Sequence, residues 1–264
     1  MSINSLGFGA YYPIKSPIHA IDPRLKIIIT IILITVIFTT TNIWTYTLLG
    51  VLLCIILHFG KIASICIKRL RAIWILLVVL PIISMILIPG RPLFPNSSFL
   101  PLSYEGAITG ALMTARLIFA LVTSSILTLS TSPFLLTSAI EKMFNPFKKI
   151  GIPVSEVAMI IQLTLRFIPT FVQEREKIMK AQSARGYAFD AKGVIEKTKK
   201  MLVLVVPLLV LAFKRVDDLA NAMDARGYVV GIKRTSAKKM ELSRNDYFIA
   251  TVVVIVVIGG MIFG

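Results

Sequence analysis

The sequence predicts an all-α, polytopic membrane protein with about five transmembrane helices and an inserted cytoplasmic domain of long helices. Three observations predict it. Of 264 residues, 56% are hydrophobic and 16% charged, with mean hydropathy +0.83; a soluble domain carries about 45–50% apolar and about 25% charged residues. Five apolar stretches approach the ~20 residues that cross a bilayer as a helix. The charges are gathered: 20 of the 29 basic and 11 of the 13 acidic residues lie between Pro133 and Asp246. This balance excludes a soluble enzyme, a disordered chain and a secreted disulfide scaffold.

The elements follow in order. Met1 to His19 has neither the basic start nor the short apolar core of a signal peptide, so the first apolar run is expected to be a retained span. That run is Leu25 to Thr41, ending in Thr39-Thr40-Thr41-Asn42. Ile43 to Phe59 is the second, closed by Gly60-Lys61, and Ala72 to Pro89 the third. The Pro-rich stretch from Pro89 to Pro101 cannot form a regular helix. Gly106 to Ser130 is the fourth span and Tyr247 to Phe263 the fifth. The expected organisation is a transmembrane part at 1–132, a charged domain at 133–246 and a final span at 247–264.

Basic and charge-poor connections alternate. Lys15, Arg24 and Lys26 flank the start of span one; Lys61, Lys68, Arg69 and Arg71 separate spans two and three. The turn at Asn42 has no charge and the loop after span three only Arg91. The positive-inside rule then places the N-terminus and the charged domain in the cytoplasm and the C-terminus outside. It also accounts for the net charge of +16 without a nucleic-acid partner.

Within the charged domain, Val154 to Pro169 and Met201 to Phe213 are apolar and then turn into charged, amphipathic sequence. Both read as long helices interrupted by Pro169 and Pro207. Two extra spans are one reading; the preferred one has helices lying against the membrane face or a greasy partner and projecting into the cytosol.

The projecting helices end alike. Ala181-Gln182-Ser183-Ala184-Arg185-Gly186-Tyr187 matches Ala222-Met223-Asp224-Ala225-Arg226-Gly227-Tyr228 at an offset of 41 residues. Glycine suits the position after a helix end, and arginine suits the negative end of the helix dipole. One such copy would be no more than a good cap. Two copies in matched contexts point to paired docking tips, each a narrow helix end with a guanidinium fork.

Most enzymatic signatures are missing. There is no phosphate-binding GxxxxGK[ST], no HExxH, and only two histidines, His19 and His58. Cys54 and Cys66 form no CxxC pair. Glu105 is the only acid between the first and fourth spans, so no intramembrane carboxylate relay is present. Arg116, inside the fourth span, reads either as a functional charge or as one bonding carbonyls of a neighbouring helix, the second being favoured. A membrane enzyme would have to use Asp217, Asp218 and Asp224, which ordinary solvated helix pairing explains better.

With these motifs in view, the chain resembles the transmembrane T component of energy-coupling factor (ECF) transporters over nearly its whole length. The resemblance rests on Ser16-Pro17-Ile18-His19-Ala20-Ile21-Asp22-Pro23-Arg24-Leu25-Lys26, Ser130-Thr131-Ser132-Pro133, Asn145-Pro146-Phe147 through Pro153 with Glu156, Leu165-Arg166-Phe167-Ile168-Pro169, and the two Ala-Arg-Gly tips. Ile14, Ile18 and Ser130 depart from the expected pattern. The resemblance implies a subunit of a cell-membrane ABC importer of vitamins or other micronutrients, not catalytic alone. It would join two cytoplasmic ATPase subunits, which bind the ATP and Mg, to a small membrane S component that binds substrate; no cofactor and no nucleic acid is expected on this chain. It implies ATPase docking by Ala184, Arg185, Gly186, Ala225, Arg226 and Gly227. It places the S component against the greasy halves, at Val157, Ile160, Ile161, Leu165, Leu204, Leu208 and Leu211.

Overall fold

The computed structural model describes residues 11–12, 14, 16–91, 103–189, 193–229, 231 and 243–262. The Pro-rich residues 92–101 lie outside that range. Among the described residues the regular structure is helical. In chain order the helices are α1 (Pro17–Ala20), α2 (Pro23–Thr39), α3 (Ile43–Gly60), α4 (Ala63–Ala72), α5 (Trp74–Leu87), α6 (Tyr104–Ser130), α7 (Pro133–Phe144), a 3-10 turn (Asn145–Ile150), α8 (Val154–Ala184), α9 (Val194–Ala225) and α10 (Arg244–Ile262). They fall into two compact units, one within residues 7–139 and 238–264, the other built on 140–237.

Helices occupy all five stretches expected to span. By length and composition α3, α6 and α8 are long and apolar enough to cross a membrane. The pair α4 and α5, bent by 57°, counts as a fourth when taken as one broken span. At 17 residues α2 is just shorter, as is the apolar part of α10, Asp246–Gly260. The presence of α8 in this set differs from the preferred reading of Val154 to Pro169. Its helix continues unbroken through Pro169, so the apolar run is not cut where the proline stands.

The first unit packs around α2, α3 and α10. Leu33, Val36 and Ile37 of α2 meet Leu49 and Leu52 of α3 and Val253 of α10. Tyr46 stacks on Phe119 of α6, with ring centroids 5.9 Å apart. Between apolar helices in lipid there is little hydrophobic driving force, so close backbone approach matters. The pair α5 and α6 achieves it with glycines: a Cβ on Gly106 would lie 2.5 Å from Ser84 O, and one on Gly110 would lie 2.7 Å from Pro81 Cα. These two glycines are one turn apart, a small-xxx-small stripe. Residues facing away, such as Ile31, Val51, Ile75 and Ile255, are exposed and apolar, as a lipid-facing surface requires.

Polar side chains tie this unit together at two levels. At one, Asp246 accepts from its own helix-start residue, Ser243 N, at 2.8 Å, and from Asp22 N at 3.2 Å. Asp22 in turn caps α2 by accepting from Arg24 N at 2.9 Å and pairs with the Arg24 guanidinium at 3.2 Å. Lys26, one turn on, donates to Ser130 O at 3.1 Å and feels the attraction of both carboxylates. His19 sits 2.7 Å from Ser16 Oγ and 3.0 Å from Tyr12 O. The Ser-His-Asp-Pro-Arg-Lys entry is thus a knot that binds the start of α2 to the end of α6 and the start of α10. At the other level, Arg116 Nε donates to Tyr46 Oη at 2.9 Å and its Nη2 to Thr40 O at 3.0 Å. The guanidinium lies at the negative end of the α2 dipole. Arg116 thus bonds a carbonyl of the neighbouring α2–α3 turn and joins it to α6.

Asp246→Ala removes an acceptor from two backbone N–H groups, one buried and one partly buried, and a counter-charge from Lys26. The expected loss is about 3 kcal/mol of stability, read as an early thermal transition in detergent, whereas Asn at the same position recovers part of it.

Candidate functional site

The two Ala-Arg-Gly tips are built by one local rule. In α8 the Tyr187 N–H donates to Gln182 O at 3.0 Å and the Gly186 N–H to Ser183 O at 3.0 Å. In α9 the Tyr228 N–H donates to Met223 O at 3.0 Å and the Gly227 N–H to Asp224 O at 2.9 Å. Both sets are the paired bonds of a Schellman cap, which satisfies the last carbonyls of a helix. The glycines take the left-handed backbone that the cap demands, φ +87° at Gly186 and +68° at Gly227. Space is not the reason for glycine here, because a Cβ at either would touch nothing within 4 Å. The backbone conformation is.

The cap therefore explains the glycine. It does not explain the arginine. Arg185 and Arg226 are C-cap residues in ordinary backbone conformation, which any L residue adopts. Both are exposed, as are Ala184, Gly186, Ala225 and Gly227. Among the described residues, no hydrogen bond or ion pair engages either guanidinium. Among the described residues, fold and helix capping leave two like cations without a partner at two helix ends.

The helices also meet at matched positions. Arg215 Nη2 of α9 lies 3.6 Å from Glu174 Oε1 of α8, and that carboxylate also takes Lys177 Nζ at 3.1 Å. Glu174 stands 11 residues before Arg185, and Arg215 stands 11 before Arg226. The 41-residue offset that superposes the tips therefore superposes the ion pair as well. Each arm from pair to tip is about 16 Å at 1.5 Å per residue. Both charges are half-buried, with side-chain exposures of 31% and 21%, and Arg215 Nε is buried without a hydrogen-bond partner among the described residues. Sequence reading missed this pair. Its signal was present: an acid and a base at equivalent positions of a repeat.

The greasy halves are exposed unevenly. Of the residues expected to meet another membrane protein, Val157, Ile160 and Ile161 are exposed, Leu165, Leu208 and Leu211 are half-buried, and Leu204 is buried. On α9 the outward face is carried instead by Leu202, Val205, Val206, Leu209, Val210 and Phe213. An apolar helix with a 3.6-residue period offers two candidate faces, and hydrophobicity alone does not say which one packs inward. Among the described residues, no three His, Cys, Asp or Glu side chains come together as a metal site.

Known proteins share this chain's whole length. Residues 14–236 match the family described as cobalt transport protein, CbiQ. The energy-coupling factor transporter transmembrane protein EcfT of Clostridium kluyveri is 40% identical over 259 residues, covering 97% of this chain and 95% of that protein. EcfT of Heliobacterium modesticaldum is 37% identical over 252 residues, covering 95% and 94%. EcfT of Bacillus subtilis is 34% identical over 263 residues, covering 99% and 98%. At such identity and coverage, the chain belongs to the CbiQ/EcfT family, the transmembrane components of energy-coupling factor transporters.

Proposed function

We propose that this chain is the non-catalytic connector of an ATP-driven importer of micronutrients. Two cytoplasmic ATPase subunits hold the ATP and Mg, a small membrane S component holds the substrate, and α8 and α9 carry motion between them. The observation that carries this reading is the duplication itself: two exposed arginine tips with the same cap, at equal distance from one ion pair joining the two helices. Two like tips fit two like soluble subunits. Each guanidinium offers five donors in a planar fork, suited to carboxylates or helix-end carbonyls in a groove. Ala184 and Ala225 keep the approach narrow.

The Glu174–Arg215 pair acts as the pivot. Because the arms are equal, a rotation of about 10° there displaces each tip by about 3 Å, and the displacement appears on the apolar halves beyond the pivot. There the exposed faces of α8 and α9 carry the S component. ATPase closure thus reaches the substrate-binding subunit through two rigid levers, without chemistry in this chain.

Three experiments test this. Arg185→Glu with Arg226→Glu should leave membrane insertion intact and reduce recovery of ATPase subunits in a mild-detergent pull-down at least about tenfold, since a repelled charge replaces a charge-assisted contact; retention of coupled ATPase overturns the docking reading. Glu174→Arg and Arg215→Glu should each lower transport at least about fivefold while the ATPases still co-purify, and the exchanged double variant should restore most of it. A reporter fused after Gly264 should be found outside the cytoplasm, as the alternation of basic connections requires.

A further inference from the structure

One half-buried cation of the first unit makes a single hydrogen bond among the described residues. Arg69 of α4 is half-buried and lines a cavity of about 260 Å³ between α4 and α6, with Cys66, Ile73, Leu121, Ser124 and Ser125 in its wall. Its Nη1 donates to Ser125 Oγ at 3.2 Å. A guanidinium has five N–H groups, and among the described residues no carboxylate pairs with this one. The only acid on α6 is Glu105, in its first turn, about 29 Å along the helix from Ser124 and bonded to Arg91 N. A half-buried, unmatched positive charge beside a cavity calls for an anion.

The surroundings say which anion. α4 carries Lys68, Arg69 and Arg71 and no acid. Lys61 stands exposed just before it. The helix breaks from the apolar α5 by 57° at Ile73, so a cationic, amphipathic segment adjoins the end of an apolar one. That is the composition of a segment at the headgroup level of a bilayer, where basic pockets between helices take acidic lipid headgroups. The other walls of the cavity, Leu121 and Ile73, are apolar and suit acyl chain rather than water.

We propose that this cavity is the headgroup site of an anionic phospholipid of the phosphatidylglycerol or cardiolipin class. The phosphodiester accepts from the remaining Arg69 N–H groups and from the Ser124 hydroxyl, with Lys68 and Arg71 flanking it. The bound lipid then fixes α4 against α6, in the unit that carries the candidate spans α3 and α6. This inference rests on the multispan reading of the chain and is independent of how α8 and α9 couple.

The test is lipid binding by the full chain in nonionic detergent, followed by native mass spectrometry. Phosphatidylglycerol, cardiolipin and phosphatidylcholine are titrated separately, and inorganic phosphate is added as a competitor. The anionic lipids should bind at least about tenfold tighter than phosphatidylcholine, Arg69→Gln should remove that margin, and Arg71→Gln should change it less than about threefold. Should Arg69→Gln fail to fold, Ser124→Glu, at an exposed position, supplies a carboxylate to the same guanidinium and should abolish the preference too. Equal losses in the Arg69 and Arg71 variants would mean diffuse surface attraction and overturn the proposal. So would displacement by phosphate, which would mark a soluble-anion site, or the absence of any preference, which would leave the charge to an acidic side chain of another subunit.

Discussion

A charge or backbone group removed from water must find its partner inside the protein, and in a hydrocarbon setting the penalty for failing is several kcal/mol per group. That constraint organises the first unit. Arg116 reaches the α2–α3 turn, Lys26 reaches the end of α6, and Asp246 bridges the starts of α2 and α10. Each interaction joins segments far apart in sequence, 76, 104 and 224 residues respectively. These few polar ties provide direction that a lipid-like interior does not, because apolar helices slide against one another with little preference. The glycine stripe on α6 then sets how near α5 comes.

The second unit obeys the opposite logic. Many of its charges are left in the open, and the ion pair that joins its two long helices, Glu174 with Arg215, lies at equivalent points of a repeat. Where one unit uses polar groups to fix a frame, the other has one ion pair between its long helices and two exposed arginine tips, which the proposed function uses as pivot and contacts. A half-buried ion pair suits a pivot better than an apolar contact of similar area. Its attraction depends on distance more gently than close packing does, and so tolerates rotation without being lost.

Much of this was legible in the sequence. The five apolar stretches, the inserted long helices and the 41-residue repeat all follow from composition and spacing, which depend on local chemistry. What was not legible depends on which faces meet. Nothing in the sequence says that Arg116 finds Thr40 rather than solvent, or that Leu204 is buried while Leu209 is exposed. The Gly106–Gly110 stripe and the equivalence of Glu174 with Arg215 were readable signals that went unread: one is a spacing of four, the other a repeat extended beyond its identical residues. The long helix with Pro169 inside it was legible in the sequence, and the structure has it as α8; neighbouring helices and lipid tolerate such a proline.

The same helix therefore presents very different surfaces at its two ends. On α9, six exposed side chains, Leu202, Val205, Val206, Leu209, Val210 and Phe213, would gain on the order of 10 kcal/mol by leaving water. That portion requires lipid or an apolar protein surface. The final turns, with Asp217, Asp218, Asp224 and Arg226 exposed, would incur a comparable penalty if buried unpaired. That portion requires water or a polar groove. A continuous helix of 32 residues is about 48 Å long, so both demands are met only if the helix extends from one phase into the other. The helix runs on through Pro207, where one backbone hydrogen bond is missing, so its two ends remain parts of one element. The proposed connector role thus rests on where one helix is permitted to be wet and where it is not.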